Sequence, residues 1–159
     1  MPQNYLQLIT EANAVFQKSY PGAFVFTALG MPNSGTLAKT ADDLSAWIYL
    51  ATDGKLFAQL DYANGAFGTP SQSAGRVGLE YVALPQGTIR LPQAIDILNQ
   101  NGYTEGFSSV SLGTPVYYQA QPMFWFCVDG QTQGVSASTG EVFRNLFPCQ
   151  AGELSVPPQ

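Results

Sequence analysis

The sequence predicts an α+β protein made of two α-β-β-β units with antiparallel sheets and with the helices packed on one face. Two Asp-Gly pairs, Asp53-Gly54 and Asp129-Gly130, each separate apolar and aromatic runs. Such pairs are strong hairpin signals, because both central residues of a type I′ turn need a positive φ. A helical pattern and a strand pattern precede each hairpin in the same order. We therefore expect a tandem unit over residues 1–84 and 85–147, followed by a polar tail over 148–159.

The first unit begins with a helix, since apolar residues between positions 4 and 18 approximate helical spacing. Pro21-Gly22 ends this helix. The predicted elements that follow are a strand over 23–29, a polar loop over 31–43, hairpin strands over 44–52 and 55–62, a Gly/Ser/Pro linker over 68–75, and an extra strand over 76–84.

The second unit restarts the pattern with Pro92, which suits the first turn of a helix because its missing N–H costs nothing there. Asn101-Gly102 ends that helix, a strand follows over 107–112, and the second hairpin is built around Asp129-Gly130. The two units align at a constant offset when Tyr20, Phe24, Leu29 and Gly30 are matched with Tyr103, Phe107, Leu112 and Gly113.

Strand alternation predicts the partner-binding surface. A sheet with helices on one side leaves its other side open, and alternate side chains point to opposite faces. If the aliphatic face meets the helices, the open face carries Phe24, Phe26, Trp47, Tyr49, Phe107 and Trp125. Aromatic side chains of this kind anchor interfaces. The alternative is that the units stack or dimerise and bury this face, and a one-residue slip in register would exchange the two faces.

The loop over 31–43 occurs only in the first unit, so we expect it to reach the partner, with Asp42 and Asp43 meeting basic groups. The chain has no histidine, which removes the commonest general base, and no motif suggests catalysis. We therefore expect no enzyme activity, no cofactor and no metal. Cys127 and Cys149 have no third ligand nearby, and they leave free thiols and a single bridge as alternatives.

Charge and hydropathy restrict the partners. The net charge is −5 and the six basic residues form no patch, which argues against nucleic acid. No apolar run approaches the roughly 18 residues of a membrane span. No signal peptide is visible, so the sequence as it stands predicts the cytoplasm, and a removed signal would place the protein in the periplasm.

The tail of the second unit, Val135-Ser-Ala-Ser-Thr-Gly-Glu-Val142, resembles the PepSY family, together with Trp125–Gly130 and the helix start at Leu91–Leu98. The resemblance covers residues 89–143, and the first unit matches in outline only. It implies non-enzymatic modules that inhibit or regulate other proteins, usually outside the cytoplasm. Two such units side by side are also similar in layout to the β-lactamase inhibitor protein.

These features together favour a protein-binding module, a bacterial inhibitor or immunity-type protein that blocks a toxin or an enzyme. Two alternatives stay open. A secretion-type chaperone would be a dimer with a groove for an extended peptide, and a module for a small apolar ligand would hold that ligand between sheet and helices. The sequence leaves the choice between monomer and homodimer undecided.

Overall fold

The computed structural model describes residues 4–75, 78–116 and 121–150. Within these ranges the chain forms two helices and an antiparallel sheet of nine strands, which confirms the α+β class. In chain order the elements are α1 (Tyr5–Ser19), β1 (Phe24–Met31), a short 3-10 helix (Ala41–Asp43), β2 (Ala46–Thr52), β3 (Phe57–Ala63), β4 (Ala66–Phe67), β5 (Ser71–Ser73), α2 (Leu91–Gln100), β6 (Ser109–Gly113), β7 (Met123–Val128), β8 (Gln131–Ser136) and β9 (Val142–Phe143).

The two halves of the chain join edge to edge in one sheet of order β4-β3-β2-β1-β6-β7-β8-β9, with β5 also paired to β3. At the junction Ala28 pairs with Leu112, Leu29 with Ser111, and Gly30 with Val110. A twofold rotation that exchanges the two halves maps the Ala28–Leu112 pair onto the Gly30–Val110 pair. Ala28 is then the structural equivalent of Val110, and Gly30 that of Leu112. The sequence alignment, which matches Gly30 with Gly113, therefore differs from the structural equivalence by one residue. Because the two halves share one sheet, they do not stack face to face.

Both helices contribute to one core cluster with the sheet. The Asn4 side chain begins α1 by accepting a hydrogen bond from the N–H of Leu6 at 2.8 Å. The buried helix residues are Tyr5, Leu8, Ile9, Ala12 and Phe16 from α1, and Leu91, Ala94, Ile95 and Leu98 from α2. The N–H of Leu91 donates to the Tyr5 hydroxyl at 3.0 Å, so the starts of the two helices are linked directly.

The two predicted hairpins differ in their turns. Asp129 and Gly130 have φ values of 51° and 78°, the pattern of a two-residue type I′ turn, as predicted. The first hairpin instead uses a connection over 53–56 in which the Asp53 carboxylate accepts from the N–H groups of Lys55 and Leu56. This longer connection, invisible in the shared Asp-Gly motif, is one reason why the sequence alignment does not preserve the faces.

The extra strand predicted over 76–84 is wrong for residues 78–84, and residues 76–77 lie outside the described ranges. Both edges of β1 are occupied by β2 and β6, so this segment has no strand edge to join. It forms a single bridge, Leu79 with Pro115, and then passes the start of β1, where the N–H of Leu84 donates to Val25. The linker predicted over 68–75 instead contains β5, which pairs with β3.

Candidate binding surface

A β-bulge at Phe26 changes which side chains of β1 face the helices. Val25 pairs with Ala51 and Thr27 with Leu50, so Phe26 has no partner in β2. The extra residue breaks the alternation that the sequence pattern assumes. After the bulge, Ala28 and Gly30 point to the helix side, and Tyr49 and Trp47 lie opposite them on the same side. The aliphatic Leu50 faces away from the helices, which reverses the expected faces of β2.

Trp47 and Tyr49 are therefore core residues. Trp47 covers Gly30, where an added Cβ would lie 2.8 Å from the indole ring. The Trp47 and Tyr49 rings stack at 6.0 Å, and the two side chains are 2% and 0% exposed. The Tyr49 hydroxyl is buried and has no hydrogen-bond partner in the described part of the chain, and burial raises the pKa of Tyr49. Neither side chain offers a surface to a partner.

Phe107 also belongs to the helix-side core, where its ring meets Phe126 edge to face at 4.9 Å. Phe107 is 1% exposed. The expectation that Trp47, Tyr49 and Phe107 lie on an open face is thus wrong. For Trp47 and Tyr49 the face follows from the pairing of β2 with β1, in which Ala51 lies opposite the buried helix-side residue Val25. The sequence pattern left this pairing undetermined.

Phe24, Phe26 and Trp125 do lie on the other face, in a second cluster. This face is nevertheless covered. The Phe26 ring contacts the Phe57 and Tyr81 rings at 6.0 and 5.1 Å. Trp125 is 1% exposed in the same cluster as Met123, Leu79 and Phe147. On this face only Phe24 keeps partial exposure, because the segment after β5 and the segment after β9 cover Phe26 and Trp125.

The two cysteines form a disulfide, with Cys127 and Cys149 joined at a Cα–Cα distance of 5.8 Å. The bridge ties the segment after β9 to β7. It resolves the two alternatives left open by the sequence in favour of the bridge.

The loop over 32–45 is fixed against the second half of the chain. Ala38 exchanges two backbone hydrogen bonds with Phe107, at 2.8 and 2.9 Å. Within the loop, the Asn33 side chain accepts from the Ser45 hydroxyl at 2.8 Å. Leu37 stays 55% exposed at the surface. The loop therefore forms a rigid surface built from both halves.

Asp42 and Asp43, predicted as a pair, have different surroundings. The Asp43 carboxylate accepts from the N–H groups of Lys39 and Thr40 at 2.9 and 3.0 Å. These two hydrogen bonds lower the pKa of Asp43 below its usual value. The Asp42 carboxylate is exposed and bonds to none of the described residues. Asp43 therefore holds the loop, whereas Asp42 is available to a partner.

Three open hollows surround the loop. The first, of about 710 Å³, lies between the loop, Leu8 of α1 and the Asn64-Gly65 turn. A second, of about 540 Å³, lies on the other side of residues 32–34 and includes Leu37 and Ser108. A third, of about 380 Å³, is lined by residues at the starts of α1 and α2 and by Ala41 and Asp42. Asp42 lines the first and third, and it is the only charged residue among the described residues that line the first.

The sequence analysis expected this loop to reach the partner because it occurs only in the first unit, but it singled out neither Ser34 and Leu37 within the loop nor Asn64 beside it. The Asn64-Gly65 turn was recognisable as a turn, and only the fold brings it beside the loop. Groups of three or more potential metal ligands are not found among the residues described.

No protein-family model and no curated protein matches the sequence. The PepSY resemblance therefore stays a prediction. The fold is similar to the crystal structure of a "putative lipoprotein" from Clostridium difficile 630, with a TM-score of 0.55 and 14% sequence identity over 85% of this chain and 89% of that chain. At this identity the likeness shows the fold alone. In the described part of the chain, neither helix has the length and apolar character needed to cross a bilayer.

Proposed function

We propose that this chain is a non-enzymatic protein-binding module of the inhibitor or immunity type, which blocks a toxin or an enzyme and acts outside the cytoplasm. Its contact surface is the loop over 32–45 with the hollows on either side of it. The observation that carries this proposal is that the fixed loop leaves Leu37 and the Asp42 carboxylate exposed beside an open hollow of about 710 Å³.

The shape and chemistry of this surface favour a protein over a small apolar ligand. The hollows are open and adjacent, and their walls mix apolar side chains with amides and hydroxyls. A small apolar ligand would need an enclosed apolar pocket. Leu37, exposed and held on a fixed loop, can enter a pocket of the partner at little cost in conformational entropy.

Asp42 gives the surface its expected charge preference. Its exposed carboxylate, which bonds to no described residue, lies at the edge of the first hollow. A lysine or arginine of the partner would form a charge-assisted hydrogen bond there. The acidic net charge of −5 would attract a basic partner at long range.

Two observations support a location outside the cytoplasm. Disulfides persist in oxidising compartments and are rare in the reducing cytoplasm, and Cys127 and Cys149 are bridged. The protein of similar fold is described as a "putative lipoprotein".

Protein capture with the wild-type chain and two matched charge variants tests the proposal. The wild-type protein, Asp42→Lys and Asp96→Lys would be used to capture proteins from an extracytoplasmic extract of the source, with quantitative mass spectrometry. Asp96 is an exposed residue of α2 that lines none of the three hollows, so the two variants change the charge equally. We expect one stoichiometric partner that Asp42→Lys loses and Asp96→Lys retains. Equal retention by both variants would contradict the proposed surface.

The chaperone alternative is separated by oligomeric state and by ligand. A chaperone would be a dimer that captures many unfolded chains, whereas an inhibitor captures one folded partner. Light scattering on the purified protein and on the captured complex distinguishes the two. A small-molecule binder would instead show co-purified material in native mass spectrometry, and its retention would not depend on the charge at Asp42.

A further inference from the structure

We propose that the Cys127–Cys149 disulfide is a redox-sensitive latch. It holds residues 146–149, here called the tail segment, over Trp125, and its reduction releases the tail segment and uncovers that side chain while the rest of the sheet stays folded. This inference is independent of the proposed function.

The noncovalent contacts of the tail segment are few. Leu146 donates a hydrogen bond to Thr132, Thr132 donates to Phe147, and Cys149 donates to Gly130, at 2.9, 2.9 and 3.0 Å. Phe147 is the buried apolar side chain of the segment, in one cluster with Met123 and Trp125. Leu146 is half-buried against the same cluster. The preceding residues Arg144 and Asn145 are exposed but hydrogen-bonded to Asn101, Tyr103 and Gln133, so the release begins after residue 145, whereas the next residue, Pro148, is exposed. A short edge segment held by so few bonds opens readily once its covalent link is broken.

Unpartnered polar groups lie beside the bridge. Ser109 and Thr132 flank Cys127 on neighbouring strands, and both hydroxyls are buried without a hydrogen-bond partner among the described residues. The indole N–H of Trp125, two residues before Cys127 in β7, is also buried, and no residue within 4–75, 78–116 or 121–150 accepts from it. Each such group costs free energy in the closed state, because its hydrogen bonds to water have no replacement there.

Opening would let water reach these three groups, and their hydration would offset part of the free energy needed to expose the Phe147 ring. The noncovalent contacts therefore stabilise the closed position less than the burial of Phe147 alone would, and the closed position depends correspondingly more on the disulfide. The bridge is accessible on one side only, since Cys149 is partly exposed and Cys127 is 2% exposed.

The reductant we infer is a dithiol. Its first thiolate attacks the Cys149 sulfur, the Sγ–Sγ bond breaks, and Cys127 leaves as a thiolate that takes up a proton. The second thiol of the reductant then attacks the mixed disulfide, forms the oxidised cyclic disulfide and releases Cys149 as a thiolate that is protonated in turn. Two electrons and two protons pass from the dithiol to the protein.

Tryptophan accessibility tests the latch on the intact chain, which has two tryptophans and two cysteines. Dithiothreitol would reduce the folded protein, thiol titration would verify two free thiols, and acrylamide quenching would measure the accessible fluorescence. We expect both tryptophans to be shielded before reduction, and about half of the fluorescence to become accessible afterwards as Trp125 is uncovered. Trp47, in the helix-side core, is the internal control, and far-UV circular dichroism should stay unchanged.

Hydrogen exchange gives a second reading of the same event. The Thr132 amide, which donates to the tail segment, should exchange at least about tenfold faster after reduction. The amides that join β1 to β6 should keep their protection. Two outcomes overturn the proposal. One is unchanged quenching once both thiols are free. The other is exposure of both tryptophans with loss of dichroism, which would mean that the disulfide stabilises the whole fold.

A pair of variants tests whether the tail segment shields Trp125, without any change in redox state. In the oxidised protein, Phe147→Ala removes the ring that belongs to the Trp125 cluster, while Phe67→Ala truncates a half-buried ring at the opposite edge of the sheet. We expect Phe147→Ala to raise the quenching of Trp125 and Phe67→Ala to leave it unchanged. Shielding that survives Phe147→Ala would show that the tail segment is not the cover.

Discussion

Replacing Gly30 by alanine should destabilise the protein far more than replacing Gly113, although the sequence alignment makes the two glycines equivalent. An alanine Cβ at Gly30 would lie 2.8–2.9 Å from three atoms of the Trp47 ring. At Gly113 the nearest atoms are the Thr27 hydroxyl oxygen at 3.3 Å and a Leu79 methyl at 3.4 Å. Neither glycine has a positive φ, so backbone strain does not enter the comparison.

The magnitude follows from whether the neighbour can move. Trp47 is 2% exposed and stacked on Tyr49, so its ring cannot shift without disturbing the core under α1. Overpacking of this kind costs about 1–3 kcal/mol. At Gly113 a shift of a few tenths of an ångström suffices, and alanine also restricts the unfolded chain. We expect a change below about 1 kcal/mol there, of either sign.

Urea and thermal denaturation monitored by circular dichroism measure both variants on the same scale. Gly30→Ala should lower the melting temperature by about 2–4 °C for each kcal/mol of stability removed. Equal losses of stability for the two variants would refute the inference. They would mean that the glycines are structurally equivalent, and that the one-residue shift between sequence repeat and structural repeat is absent.

Three further predictions concern single polar groups. Tyr5→Phe should lower the free energy of unfolding by about 1–2 kcal/mol, because it leaves the buried N–H of Leu91 without its acceptor. Tyr49→Phe should leave the free energy of unfolding nearly unchanged, because that hydroxyl has no partner among the described residues. Urea melts compare the two variants directly. Tyr49 should also stay protonated when the exposed tyrosines titrate, since burial raises its pKa. Burial raises the pKa of Tyr5 as well, so ultraviolet titration of the Tyr5→Phe protein would detect Tyr49 as the missing tyrosinate. Asp43→Asn should lower stability at pH 7, because the folded-state pKa of Asp43 lies below its ordinary value of 3.8. That contribution is present above the unfolded pKa and disappears as the pH falls through the folded one, so melts of the two proteins should converge once the pH is below the folded-state pKa of Asp43.

Local signals predicted the elements well. Helix spacing, Pro92 at a first turn and the Asp129-Gly130 pair located α1, α2 and the second hairpin to within a few residues. These features depend on backbone preferences within a short stretch, and such preferences are readable in the sequence. The repeat also predicted that the same order of elements recurs.

The faces of the sheet were not predictable in the same way. The face of β2 depends on its pairing with β1, and the residues of β1 after Phe26 change face at a bulge. Neither feature is visible in the apolar pattern of the strands. The cover over Trp125 comes from segments that lie far away in sequence and that show no strand or helix pattern. The loop over 32–45 was recognisable because it occurs only in the first unit, but its hollows require the fold to bring α1 and the Asn64-Gly65 turn beside it.

Site-specific photocrosslinking in the source cells tests the proposed binding surface most directly. A photoreactive amino acid would replace Ser34, which lines the first two hollows, or Ser138, an exposed loop serine of the second half that lines none of the three. A binding surface at the loop over 32–45 predicts one discrete adduct with another protein at position 34 and none at 138. Adducts of equal yield at both positions, or none at position 34 while a partner is still captured, would contradict it.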